Sequence, residues 1–400
     1  MPRFRRTPLA WRNLTHDYRR LVVAVGGILF AVVLMFMQVG FRRALIDSTV
    51  KVIEDLNADV LLVSKGQYAM PAQQRFPMTR LVQARKCPGV SEVSPLYIET
   101  FSAELRRRYQ QDGKTWYGKG YPIRVLAFNP NDEIFNIPQV ETYRDRLSKP
   151  DTALLDVKSK SKYGVVPGTP AELARQPVRL SGQPLQLVGT FSMGTDFAND
   201  GNLIMSTKNF TRYFPYRAGN DDPLSIVDFG LVQLDDNADP QVVKARLRQI
   251  LPTDVAVYTK QEFIQLETSF WEQSTPIGYI FTVGTVMGFV VGVIICYQII
   301  YSNVADYLAE FATLKAMGYS DRYFIVVVLS MSFYLSLLGF VPGWFLSWLL
   351  YQVLAEATGL LMLMSPLMVA TVYGLTLLMC VVSGGLAMRK LLGADPAELF

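Results

Sequence analysis

Four long apolar stretches, none containing Asp, Glu, Lys or Arg, constrain this 400-residue chain more than any other feature. They cover residues 21–41, 277–301, 324–350 and 367–388. Each is long enough for a helix to cross the hydrocarbon layer, which takes about 20 apolar residues. Lipid offers no partner to a free amide or carbonyl, so each stretch is predicted to be a helix. The first follows an arginine-rich leader, as a secretory signal would. It is too long for a signal's apolar core, and no small-x-small cleavage site follows, so it reads as a permanent anchor.

Charge placement orients the four spans. Arg3, Arg5, Arg6, Arg12, Arg19 and Arg20 precede the first span, Lys315 and Arg322 lie in the loop 302–323, and Arg389 and Lys390 follow the last span. The linker 351–366 carries Glu356 as its only charge. The positive-inside rule then puts segment 1–20, loop 302–323 and tail 389–400 in the cytoplasm. Segments 42–276 and 351–366 face outward. With an apolar helix directly behind it, the basic leader reads as an anchor beside membrane lipids and not as a nucleic-acid patch.

The composition, 50% hydrophobic yet 18% charged, averages two unlike regions. Segment 42–276 has the character of a soluble α+β domain. Strands are predicted at 59–64, 123–128, 153–157, 178–180, 185–191 and 227–234, and helices at 79–86 and 240–250. A Pro-, Gly- and Asn-rich stretch between strands suggests a second lobe inserted over about 129–226. The only histidine is His16, and Cys296 and Cys380 fall inside spans, so neither a histidine-rich metal site nor a Ser-His-Asp triad can be assembled in the outer domain. Gly113-Lys114-Thr115 imitates the end of a phosphate-binding loop, but Arg108 stands where its first glycine belongs. Leu180-Ser181-Gly182-Gln183 imitates part of an ATP-cassette signature at what reads as a hairpin turn. The chain is therefore expected to be non-catalytic and to hold no cofactor of its own. Ion-coupled carriers place charged groups within the membrane, and these spans carry none.

Gly284, Gly288 and Gly292 form overlapping G-x-x-x-G patterns on the second span, and Gly339 and Gly343 form another on the third, beside Pro342. Such faces let two helix backbones approach closely. Either packing within one subunit or a homodimer seam would use them.

The loop after the second span holds a short amphipathic helix. Phe311, Leu314 and Met317 recur at helical spacing, Glu310 stands at its start, Lys315 near its end, and Gly318 is a natural stop. Glu310 to Gly318 resembles the E-[FIY]-[AG]-x-L-[KR]-A-[ML]-G loop pattern of the MacB/FtsX superfamily of ATP-binding-cassette permeases. Leu9-Ala10-Trp11-Arg12-Asn13-Leu14 resembles the family's opening, and Asp395-Pro396-Ala397-Glu398 its closing D-P-A-E. Within the family, Gly194 to Leu203, reading GTDFANDGNL, looks like the DevC type.

The resemblance implies a MacB-like (type VII ABC) architecture: four transmembrane α-helices, one then three, with a two-lobed α+β periplasmic domain. It implies a multi-pass bacterial inner-membrane protein working as a homodimer. A separate ATPase chain would bind ATP and Mg, and the loop residues Glu310, Phe311, Leu314, Lys315, Met317 and Gly318 would dock on it. A periplasmic adaptor and a TolC-like outer-membrane duct would complete a tripartite exporter of a lipid-like or amphipathic substrate. Lipoprotein release and FtsX-like control of a cell-wall hydrolase are the alternative functions.

Overall fold

The computed structural model describes residues 11, 17–111, 114–306, 313, 317, 319–360 and 362–392. The chain divides into a helical unit, residues 1–43, 276–354 and 362–400, and a mixed α/β unit, residues 44–275 and 355–361. Among the described residues four helices are long and apolar enough to cross a membrane. They are α1 (Tyr18–Glu54), α3 (Pro276–Asp306), α4 (Asp321–Thr358) and α5 (Pro366–Leu392), and a short helix α2 (Lys260–Ser269) precedes the second of them. All four run past the apolar stretches, α1 and α4 furthest. Helix α1 continues 13 residues past Phe41, through a segment with no Pro or Gly to stop it. Helix α4 is unbroken at Pro342 and reaches into the expected linker, ending before Gly359, whose φ of +73° suits a helix stop.

Polar side chains in the helical unit mostly satisfy themselves within their own helix. Ser332 donates to the Val328 carbonyl, Ser347 to Gly343 and Thr376 to Val372. Ser383 and Tyr351 reach a neighbouring helix: Ser383 bonds the Val293 carbonyl at 2.8 Å, and Tyr351 bonds the Phe36 carbonyl at 2.5 Å. Buried Cys296 on α3 faces Cys380 on α5 with 3.7 Å between sulfurs, a neighbourhood the sequence spacing did not reveal.

The α/β unit has fourteen strands among its described residues: β1 (Val60–Ser64), β2 (Phe76–Pro77), β3 (Val90–Glu99), β4 (Glu104–Gln111), β5 (Lys114–Tyr117), β6 (Tyr121–Pro122), β7 (Arg124–Phe128), β8 (Thr152–Asp156), β9 (Val178–Leu180), β10 (Gln183–Phe191), β11 (Asn202–Ser206), β12 (Ile226–Val227), β13 (Phe229–Leu234) and β14 (Val255–Thr259). Strands β1, β3, β13 and β14 lie in the antiparallel order β14-β1-β13-β3, with helices Thr79–Ala84 and Pro240–Ile250 as the crossovers. That is the split β-α-β arrangement of a ferredoxin-like lobe. Side chains alternate across β1, so Val60 and Leu62 join Leu81, Val243 and Leu247 on one face while Leu61 and Val63 join Phe229 and Phe263 of α2 on the other. Helix Pro240–Ile250 starts where predicted: the Asp239 side chain accepts the Gln241 N–H, and Pro240 fills the first turn.

The ladder continues from β3 through β7-β11-β8-β10-β9-β4-β5. The β7–β11 and β8–β10 pairs are parallel. Strand β4 pairs with both β9 and β5, so strands from before residue 129 share a ladder with β9 and β10. A hairpin carries no local mark of which distant strand it will join. Ser181 and Gly182, with φ of +47° and +83°, form the two-residue turn between β9 and β10. The cassette-like tetrad is thus a hairpin.

Candidate functional site

Five of the residues predicted to couple to an ATPase, Glu310, Phe311, Leu314, Lys315 and Gly318, lie outside the described residues. The sixth, Met317, is exposed, and its N–H bonds the Thr313 carbonyl at 3.0 Å, a helical i to i−4 link.

The glycine face of α3 is occupied within the chain. A Cβ at Gly284 would meet Gln38 of α1 at 2.4 Å, and one at Gly288 would meet Met35 and Leu34 at 3.5 and 3.6 Å. At Gly292 a Cβ would lie 3.0 Å from the Ala31 Cβ and 2.0 Å from the Met379 sulfur of α5. Gly339 and Gly343 of α4 take Ile28 and Val32 on another side of α1. Helix α1 is therefore held between two glycine faces within one chain. Another side of α3 stays exposed at Ile280, Val283, Met287, Val290 and Ile294.

The densest polar site lies in the α/β unit, around the loop 194–203. Asp156, at the end of β8, accepts the Gly194 N–H and the Asn202 amide, both at 2.8 Å, and also the Lys158 N–H at 3.0 Å. The Asn202 carbonyl oxygen accepts from Arg124 Nε at 2.8 Å, and these two residues are register partners on β11 and β7. Arg124 Nη1 then donates to Asp196 at 2.6 Å. The second Asp196 oxygen accepts the N–H groups of Ala198 and Asn199 at 2.9 and 2.7 Å. Arg124 is 2% exposed and Asp196 6%, so this ion pair is desolvated. Gly194 sits at φ +111°, where a side chain would be strained. Asp200 pairs with Lys160 and Lys162 at the loop's outer end; burial works against ionisation there, but the two ammonium groups outweigh it and lower its pKa.

The loop is tied to the segment that leads into α3. Phe197 meets Trp271 edge to face, with 5.6 Å between ring centroids. Trp271 Nε1 donates to Glu267 at 2.8 Å, and the other Glu267 oxygen accepts the Met70 N–H at 2.7 Å. Glu267 is buried on α2, and that burial raises its pKa despite the two donors. A cavity of about 120 Å³ lies among Met70, Ile98, Phe101, Arg124, Glu267 and Trp271.

Two family models match nearly the whole chain: a MacB-like periplasmic core domain over residues 21–250, and an FtsX-like permease C-terminal region over residues 282–396. The chain belongs to the MacB/FtsX superfamily of permeases. Among solved structures, the periplasmic region of MacB from Actinobacillus actinomycetemcomitans is 12% identical, over 53% of this chain and 92% of that one, with a TM-score of 0.34. The extracellular domain of the noncanonic ABC-type transporter YknZ from Gram-positive bacteria is 13% identical, over 51% of this chain and 100% of that one, with a TM-score of 0.31. No curated protein matches. The family assignment rests on the two family models.

In this MacB/FtsX-type permease the loop 194–203 stood out in the sequence by resemblance alone, and Arg124 and Asp156 were not singled out. Arg124 opens an apolar strand, a place where an arginine usually reaches solvent. Its partner Asp196 is 72 residues away, beyond any periodicity. The arrangement contains no nucleophile with an adjacent base. Its role is structural: buried, directional contacts join the loop, strands β7 and β11 and the Trp271 segment.

Proposed function

We propose that this chain is the permease subunit of a tripartite ATP-driven exporter of the DevC type, in the bacterial inner membrane with both termini cytoplasmic. A separate ABC ATPase grips the loop 302–323 in each of two copies, and a periplasmic adaptor and TolC-like duct receive the cargo. ATP-driven closure moves the spans, and the α/β domain passes that motion to a lipid-like or amphipathic substrate without drawing it through the bundle.

One observation carries this reading: charge-free spans in the same chain as a domain whose buried bonds lock its loop to the residues just before α3. A carrier would invest polar groups in the spans. Here they are invested in Arg124, Asp196 and Glu267, where they make the domain rigid.

The test targets the loop. An apolar anchor at a protein interface contributes roughly 2 kcal/mol or more. Phe311→Ala with Met317→Ala is expected to cut co-purification of the ATPase and abolish export while insertion and domain folding persist. Full ATPase retention and full export by this double variant would overturn the proposal.

A further inference from the structure

We infer that the groove between α4 and α5 holds the acyl chain of the amphipathic cargo, entering sideways from the outer leaflet of the membrane. The inference rests on the exporter reading and its orientation, and it names where that reading's lipid-like substrate is first gripped. Both walls belong to the helical unit: Leu337 to Gln352 on α4 and Pro366 to Tyr373 on α5, with Met362, Leu363 and Met364 from the linker between them. The space is about 890 Å³, within the range of small-molecule sites, roughly 300–1,000 Å³. Phe340, Tyr351 and Met362 are buried beneath it, while Val341, Trp344 and Trp348 are exposed along its flank, so the groove is open to whatever surrounds the helix. Phe340 and Tyr373 meet edge to face, with 5.0 Å between centroids, and join the two helices.

The groove's surroundings are hydrocarbon, because α4 carries no Asp, Glu, Lys or Arg from Phe324 to Leu350. No charged residue lines the groove; its polar side-chain groups are the Gln352 amide, two phenol hydroxyls and two indole N–H groups. Polarity is ordered along α4. Leu337, Val341, Trp344, Trp348 and Gln352 follow one another at helical spacing, aliphatic at the deep end, with indole N–H groups and an amide towards the outer end. Gln352 is exposed and its side-chain amide has no partner among the described residues, so a ligand oxygen can reach it. Apolar tail inward and polar group outward is the order of an amphipathic lipid. Leu337 to Gln352 covers about 22 Å of helix, against about 15 Å for the hydrocarbon of one leaflet. Size argues against the other apolar occupant, a helix of a second copy: about 10 Å across and 22 Å long, it needs roughly 1,700 Å³.

Connectivity favours cargo over a resident lipid. The two walls are joined through residues 355–361, which belong to the α/β unit. Within that unit Gly359 closely approaches the loop 194–203. A Cβ there would meet Thr195 Oγ1 at 3.0 Å and the Lys158 carbonyl at 3.2 Å, and its φ of +73° already favours glycine. A shift of that loop thus has a direct path, through 355–361, to both walls. Release of cargo needs such a path, and a resident lipid does not.

The experiment uses the full chain in phosphatidylcholine vesicles. The probe is a lysophosphatidylethanolamine with a diazirine midway along its chain, and adducts are mapped by mass spectrometry. Adducts on 340–348 and 369–373 are expected to saturate as probe is added, while those on the exposed α3 face at Met287 and Val290 rise in proportion to it. Ala370→Trp, at an exposed lining residue, should abolish the saturable labelling and keep the α3 adducts, which show that the variant inserts. Val286→Trp, at an exposed residue of α3, should leave the saturable labelling unchanged. Gln352→Leu should raise the half-saturating probe concentration about fivefold, the worth of one hydrogen bond. Groove labelling that never saturates, persists in Ala370→Trp or ignores Gln352→Leu would overturn the proposal. So would a co-purified phospholipid that excess probe does not displace, which marks a resident lipid, or dimers crosslinked through position 348 in Trp348→Cys, which mark a second copy. The readout needs no ATPase, so its failure leaves the exporter reading standing, and failure of the Phe311/Met317 test leaves the groove's lipid binding standing.

Discussion

The helical unit and the α/β unit bury their interiors by opposite means. Between helices the helical unit relies on shape: glycine against Ile28, Ala31, Val32 and Met35, with hydroxyls folded back on their own carbonyls. The α/β unit buries charge. Besides Arg124 and Asp196, it holds Asp228 between Arg217 and Arg75, with Glu99 taking the second arm of Arg75 at 2.8 Å. Van der Waals contacts between smooth helix faces change gradually when one helix slides on another. A desolvated ion pair tolerates no such shift, because each partner alone is a stranded charge. The contrast teaches where motion is cheap. Shifts are cheap between the helix faces and costly across the buried pairs of the α/β unit.

The sharpest way to break this contrast is to strand one charge. Arg124→Ala leaves Asp196 buried without its cation and frees the Asn202 oxygen. The expected loss is roughly 3–5 kcal/mol, read as a lower unfolding midpoint of the full chain in micelles. Arg124→Met with Asp196→Leu should recover part of that, since no charge remains. Recovery stays partial because the Ala198 and Asn199 N–H groups lose their acceptor. An unchanged midpoint in Arg124→Ala would mean the pair is not buried, and the stiffness argument would fall with it.

A smaller effect is expected where shape alone matters. Gly292→Leu pushes a side chain into Ala31 and Met379, and overpacking of this kind costs about 1–3 kcal/mol. Gly288→Ala meets Met35 and Leu34 at ordinary contact distance and should be nearly neutral. Thermal unfolding in micelles ranks the two. A Gly288→Ala variant as unstable as Gly292→Leu would contradict the intramolecular packing and return the motif to a seam between subunits.

The two units were also unequally legible in the sequence. A span is a property of twenty neighbouring residues, so composition alone places it, and the four helices stand where the apolar runs stand. The glycine spacing on α3 announces close approach but cannot say whose helix approaches; that needed Gln38, Met35 and Ala31 in space. Strand β3 was missed because Pro95 interrupts it, and Pro usually marks an edge. Its place opposite Gly230 shows the ladder tolerating the missing donor. Strand β11, five consecutive buried residues, lacks the alternation that marks a half-buried strand. The Arg124 network was the least legible part, since its members come from β7, β8, the loop after β10, and β11. The coupling pattern of 310–318 is the reverse case, read from the sequence but outside the described residues except at Thr313 and Met317.

The mildest test separates two glutamates on α2 whose environments push them in opposite directions. At Glu262 partial burial works against ionisation, but the Lys244 ammonium, the Thr259 N–H and the Gln241 amide outweigh it and bring the pKa down to about 2. A depressed pKa gives stability that is fully present above the ordinary 4.5 and lost as the pH falls towards 2. Glu267 is raised by burial, so its protonated form favours the folded state and stability falls as pH rises from 4.5 through the shifted value. Unfolding midpoints of the full chain in micelles, measured across pH 6 to 2.5, should therefore diverge. Relative to wild type, Glu262→Gln should lose less stability on acidification, by under about 1 kcal/mol because the pair is partly solvated. Glu267→Gln should miss the gain that wild-type Glu267 brings as the pH falls towards 4.5. Parallel acid profiles for all three proteins would mean that neither carboxylate feels the environment described, and that α2 is anchored by its apolar face at Phe263 alone.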